Sequence, residues 1–200
     1  MTPQLTASFL RLLSGARATW LGCGPELRQR VYFANHTSNL DGPVLWATLP
    51  LAVRQLTRPV AARDYWTANR LRRFFAEQVF NAVLIERKAP TVRDNPIEDM
   101  LAAIGDSHSL ILFPEGGRFS GPDPQPFKSG LFHLAKKRPE IELVPVLLDN
   151  MNRVLPKGEL LPVPIISSVT FGSPIRLEPN ERRDDFLVRA REAVIGIRQQ

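Results

Sequence analysis

Val31-Tyr32-Phe33-Ala34-Asn35-His36-Thr37-Ser38-Asn39-Leu40-Asp41-Gly42-Pro43-Val44 is the stretch on which the fold turns. An apolar, β-forming run leads into polar turn residues, and Pro43 suits the first turn of a following helix. On one continuous helix the step from His36 to Asp41 would rotate through about 500°, leaving the two side chains roughly 140° apart. They meet only if a strand ends near Ala34 and a loop carries both residues into a helix. In that loop the carboxylate accepts a hydrogen bond from one imidazole nitrogen and leaves the other nitrogen basic. The pair is a general base with an orienting acid, lacking a nucleophile of its own.

Outward from this stretch, apolar runs alternate with helical stripes. Strands are expected at about 30–35, near Pro59–Ala62, at Ala82–Ile85, Ser109–Phe113, Leu143–Leu148 and Ser167–Phe171. Helices are expected over 43–49, over 65–79 with Arg70, Arg72 and Arg73 on one side, from Asn95 to Gly105, from Gly130 through Lys137, and over Arg182–Ile197. Residues 149–164 read as a proline-rich loop. At the N-terminus, Leu5, Phe9, Leu12, Leu13, Ala16 and Trp20 recur at helical steps, so residues 3–21 read as an amphipathic helix. It either packs on the domain or lies in a membrane interface, with Phe9 and Trp20 at the acyl boundary and Arg11 and Arg17 at headgroups. The alternation argues a single α/β domain with a mixed or mostly parallel sheet. Residues 1–24 form the N-terminal segment and 25–200 the domain proper.

Two hundred residues, 44% hydrophobic and 23% charged, suffice for one domain with a full core. A formal charge of +6 and a pI near 10.1 point to anionic partners: nucleic acid, phosphorylated metabolites or an acidic membrane surface. The single cysteine, Cys23, excludes an internal disulfide and a multi-cysteine zinc site. No secretory signal and no run of about 18 apolar residues is read in the chain. Nucleic acid fits poorly, because the arginines are dispersed and few aromatic platforms lie between them.

The second chemical signal is Phe113-Pro114-Glu115-Gly116-Gly117-Arg118. Paired glycines after a strand let backbone N–H groups approach a phosphate, and Arg118 adds a planar cation that grips it with two hydrogen bonds. The P-loop pattern, the Gly-x-Ser-x-Gly elbow and metal-ligand spacings are all missing, which argues against a serine acyl-enzyme. His108 and His133 read as structural.

Together these residues resemble the glycerolipid acyltransferase superfamily, the group of 1-acyl-glycerol-3-phosphate acyltransferases. His36 to Asp41 matches its His-x4-Asp block, and Phe113–Arg118 matches its Phe-Pro-Glu-Gly-Thr-Arg-Ser block, with Gly117 in place of threonine and Ser120 shifted past Arg118. Val83-Leu84-Ile85-Glu86-Arg87 and Val144-Pro145-Val146 look like the two remaining blocks. The resemblance covers about residues 30–150. It implies transfer of a fatty acyl chain from acyl-CoA or acyl-carrier protein to the free hydroxyl of a lysophospholipid, without a metal or other cofactor. His36 and Asp41 would be catalytic. Arg87, Glu115, Gly116, Gly117, Arg118 and Lys128 would hold the acceptor phosphate. A lipid substrate places the protein peripherally at the cytoplasmic side of a membrane with an acidic surface, and not on nucleic acid. Two other readings share parts of the pattern: acylation of another lysolipid, such as an amino-acid-containing one, and a catalytically silent lipid-binding protein.

Overall fold

Strand β2 (Arg30–Ala34) is buried along its whole length and forms the middle of the sheet. The computed structural model describes residues 2–86, 95–119, 121, 123–151 and 167–199. Beside β2 run β5 (Ser109–Leu112) and β6 (Glu142–Asp149), both parallel to it. Strands β3 (Thr57–Ala62) and β4 (Val83–Ile85) extend the sheet past β5. On the far side, β7 (Ser168–Phe171) and β1 (Arg17–Trp20) extend it past β6. The order is β1-β7-β6-β2-β5-β3-β4. Among these strands β6 and β7 make the antiparallel pair, and every other neighbouring pair is parallel.

A mostly parallel sheet must be covered on both faces, and β2 shows how. Its side chains alternate between two cores, as the period of a strand requires. Val31 and Phe33 pack with Ile104, Leu131 and Phe186 from helices α6 (Pro96–Ile104), α7 (Gly130–Lys137) and α8 (Arg183–Gly196). Tyr32 and Ala34 pack on the other face with Ala7, Leu10, Val44 and Leu45, from α1 (Pro3–Ser14) and α2 (Asp41–Thr48). At the start of β2 the buried Arg30 meets Glu142, its register partner on β6, at 2.9 Å.

The sheet splays at β3. This strand pairs with β5 only through Thr57–Pro59, then with β4 through Val60–Ala62. The β3–β5 ladder thus ends at Pro59, a residue with no N–H to donate. Beyond it the two strands part, and a cavity opens between Val60, Ala61 and Ala62 on one side and Leu112 and Phe113 on the other.

Two expected helices are shorter than their patterns. The N-terminal helix stops at Ser14, because Gly15 adopts a left-handed conformation (φ 57°) and caps it. Arg17–Trp20 then joins the sheet as β1, and Trp20 stacks face to face on Phe171 at 3.8 Å instead of pointing outward. The segment read as one helix over 65–79 is broken into α4 (Arg63–Trp66) and α5 (Arg70–Phe74), the latter running on into a π-helical turn over Phe75–Val79. Asn69 restarts the chain by capping the Arg72 N–H with its side chain. The other expected elements lie within a few residues of their predicted bounds, and an unexpected short helix, α3 (Leu51–Gln55), follows α2. The proline-rich stretch from residue 152 to 166, Arg87 and Ser120 fall outside the described residues.

Candidate active site

Strands β2 and β5 are parallel neighbours with Phe33 opposite Leu112, so the chain leaves both at the same edge of the sheet. His36 follows one strand and the Phe113–Arg118 turn follows the other. This is the edge at which open α/β sheets gather ligands.

His36 Nδ1 lies 2.8 Å from Asp41 Oδ2. That same oxygen accepts the backbone N–H groups of Thr37 (2.6 Å) and Ser38 (2.8 Å), so the intervening loop is wrapped around the carboxylate. Asp41 is fully buried and opens α2, where the helix dipole favours a negative charge. A carboxylate facing Nδ1 selects the tautomer with its proton on that nitrogen and leaves Nε2 as the basic one. The imidazole is also held in plane, stacked on Phe113 with centroids 4.3 Å apart.

The second loop grips the first. Glu115 Oε1 accepts the His36 N–H at 2.7 Å, and the His36 carbonyl accepts the Phe119 N–H at 3.0 Å. Glu115 was expected among the phosphate-holding residues, but it is buried, and both of its oxygens are engaged by backbone, Oε2 by the Gln125 N–H at 2.8 Å. Burial pushes its carboxyl above the usual carboxylate range, against the pull of the Gln125 and His36 amides. An acid so enclosed fixes the two loops and offers nothing to an anion. Asn35 adds a third tie: its amide donates to the Leu148 carbonyl (3.0 Å) and accepts the Leu148 N–H (2.8 Å), fastening the end of β2 to β6.

Five of the expected residues converge. His36, Gly116, Gly117, Arg118 and Lys128 all line one cavity of about 510 Å³. Much of its lining is apolar, with Val60, Trp66, Phe80, Ile85, Met100 and Leu112. Gly116 has φ 69°, and a Cβ there would fall 2.6 Å from Lys128 Nζ, so the lysine side chain lies directly across this glycine. Arg118 reaches back to Asn39 Oδ1 in the histidine loop. Asn39, Tyr65 and Phe113 also line the cavity, as does His133, which read as structural. None of these four stands out in the sequence as a site residue, and Tyr65 and His133 reach the cavity from other parts of the chain. For Phe113 and Asn39 the signal is their place within the two motifs.

A family model described as an acyltransferase matches residues 24–149. Curated 1-acyl-sn-glycerol-3-phosphate acyltransferases from Limnanthes alba and Cocos nucifera are each 26% identical to the chain, over 169 and 182 residues. Those alignments take in 80% and 88% of this chain but 56% and 55% of the relatives, so the chain spans about half their length. In fold it is similar to the 1-acyl-sn-glycerophosphate (LPA) acyltransferase PlsC from Thermotoga maritima, with a TM-score of 0.74 at 17% identity, covering 98% of this chain and 78% of that one. With well over half of its residues matched by the family model, and with the histidine and glycine-turn motifs inside the matched region, the chain belongs to the acyltransferase family.

Proposed function

We propose that this protein transfers a fatty acyl group from a thioester, acyl-CoA or acyl-carrier protein, to the free hydroxyl of a lysophospholipid, with 1-acylglycerol-3-phosphate as the favoured acceptor. The observation that carries the reading is the His36–Asp41 pair on the wall of a largely apolar cavity that Arg118 and Lys128 also line. His36 Nε2 takes the acceptor's hydroxyl proton as the oxygen attacks the thioester carbonyl. The tetrahedral adduct then collapses to the ester, and the departing thiolate recovers the proton from the imidazolium. Asp41 stabilises that transient cation. Arg118 and Lys128 hold the acceptor phosphate, and the apolar wall takes acyl chain. General base catalysis of this kind contributes about 10²–10⁴-fold. His36→Ala should lower acyl transfer from a labelled thioester by that factor while leaving the melting temperature near wild type. Wild-type turnover in this variant would refute the mechanism, and absence of transfer in the wild type would favour the silent lipid-binding reading.

A lipid acceptor places the protein at a bilayer. Among the described residues no helix is long and apolar enough to cross one. Helix α1 buries Ala7 and Leu10 against the domain and turns Leu5, Phe9 and Leu12 outward, with exposures of 61%, 53% and 84%. Leu71 and Phe74 are exposed on α5 among Arg70, Arg72 and Arg73. These faces support peripheral docking on an anionic membrane, the cytoplasmic leaflet being the proposed one. Each basic residue close to such a surface adds about 1 kcal/mol. Replacing Leu5, Phe9 and Leu12 by serine should release the protein from anionic liposomes without disturbing β1. Undiminished co-sedimentation would refute the contact.

A further inference from the structure

Tyr65, in α4 at the end of β3, lines the cavity and is approached by two guanidinium groups from distant parts of the chain. Arg72 of α5 lies with its Cζ 4.3 Å from the ring centroid, and Arg118 of the glycine turn lies 5.8 Å from it. The two guanidinium carbons are therefore at most about 10.1 Å apart. Like charges held this close repel. Glu77, one helical turn on, is engaged by Arg73 at 2.8 Å. What holds the cations is an aromatic face for both and the Asn39 amide oxygen for Arg118. Stacking uses the flat of a guanidinium and leaves donors on its edge.

Two cations within about 10.1 Å of each other, on a ring that lines the cavity, can donate to one phosphate group through N–H···O⁻ hydrogen bonds of about 2.7–2.9 Å. We propose that Arg72, Tyr65 and Arg118 form a clamp for a phosphate ester at the cavity mouth, in which Arg72 binds the ligand and Tyr65 is a positioning residue that spaces the two cations. This adds Arg72 and Tyr65 to the site and rests on the reading that Arg118 meets a substrate phosphate. That ester is either the headgroup phosphate of the lysolipid or a phosphate of coenzyme A.

The test measures equilibrium binding of lysophosphatidate, of the matching monoacylglycerol and of coenzyme A to the wild type and to Arg72→Ala, Arg72→Lys, Tyr65→Leu and Tyr65→Phe. Turnover is followed in parallel. Arg72→Ala and Tyr65→Leu should weaken lysophosphatidate about tenfold and leave monoacylglycerol unchanged. Arg72→Lys should recover part of the loss and Tyr65→Phe most of it. Weakening of coenzyme A alone would assign the clamp to the donor's phosphate. Equal binding of all three ligands by Arg72→Ala and wild type would overturn the proposal, even with normal acyl transfer. Loss of lysophosphatidate binding in a protein without any turnover would instead overturn the acyltransferase reading and keep the clamp.

Discussion

At Asp41 a single carboxylate oxygen takes three donors, two of them backbone. One residue thereby both sets the tautomer of His36 and shapes the loop that presents it. Glu115 does comparable work from the other side, but its burial has a pH signature. A carboxyl whose pKa is raised on folding binds more protons in the native than in the unfolded state between the two pKa values. Its contribution is complete below the unfolded value, near 4.5, and is lost as pH rises through the raised folded value. Glu115→Gln cannot titrate, so the wild type's stability relative to this variant should fall as pH rises above about 4.5. Paired thermal melts across this range measure it, and a difference that is flat with pH would show that the carboxyl is not perturbed. At Gly116 the expectation is kinetic. An alanine there is strained by about 1–3 kcal/mol at positive φ and pushes Lys128 from its place. Gly116→Ala should raise the KM for a phosphate-bearing acceptor about tenfold with a smaller change in kcat, as read by steady-state kinetics.

At the scale of elements, the strands β2, β5 and β6 were legible because a strand buried on both faces is a bare apolar run bounded by turn residues. The two motifs were legible for a related reason: each hangs directly from the end of such a run. The first helix was misjudged because Ala16 and Trp20 continue its stripe by chance across Gly15, and four residues of edge strand carry too little alternation to compete with it. What decides the matter is φ 57° at Gly15 and a partner strand far along the chain. The gap in the 65–79 helix did have a local sign, the capping residue Asn69, but a continuous pattern of apolar and basic residues overrode it. Tyr65 and Arg72 were not legible as site residues at all. Their relation to Arg118 exists only because β3 leaves β5 at Pro59 and opens the sheet toward them.

For the whole molecule, chemistry gathers at one edge of the sheet, while a buried ion pair closes the opposite end of β2. Arg30 and Glu142 face each other with side chains 2% and 13% exposed, and Arg28 joins from outside at 3.0 Å. Burial works against ionisation of Glu142, yet the two arginines hold its carboxyl below the usual range. Removing Glu142 leaves the buried Arg30 with the half-exposed Glu26, at 3.7 Å, as its remaining counter-charge, so Glu142→Gln should cost about 3–5 kcal/mol of stability, read from urea unfolding. A loss near zero would mean that Arg30 finds another counter-charge. The far rim of the sheet has a different consequence, one of timing. The Ser167 hydroxyl donates to the Ser14 carbonyl across 153 residues of sequence, and among the described strands β1 pairs only with β7. As the chain leaves the ribosome, Arg17–Trp20 therefore waits for its described partner until Ser168–Phe171 has been made. Contacts of such long range are the slow ones to form. Helix α1, meanwhile, is made well before β7, with Leu5, Phe9 and Leu12 uncovered, so this part of the newborn protein offers an oily surface long before the seam beside it can shut.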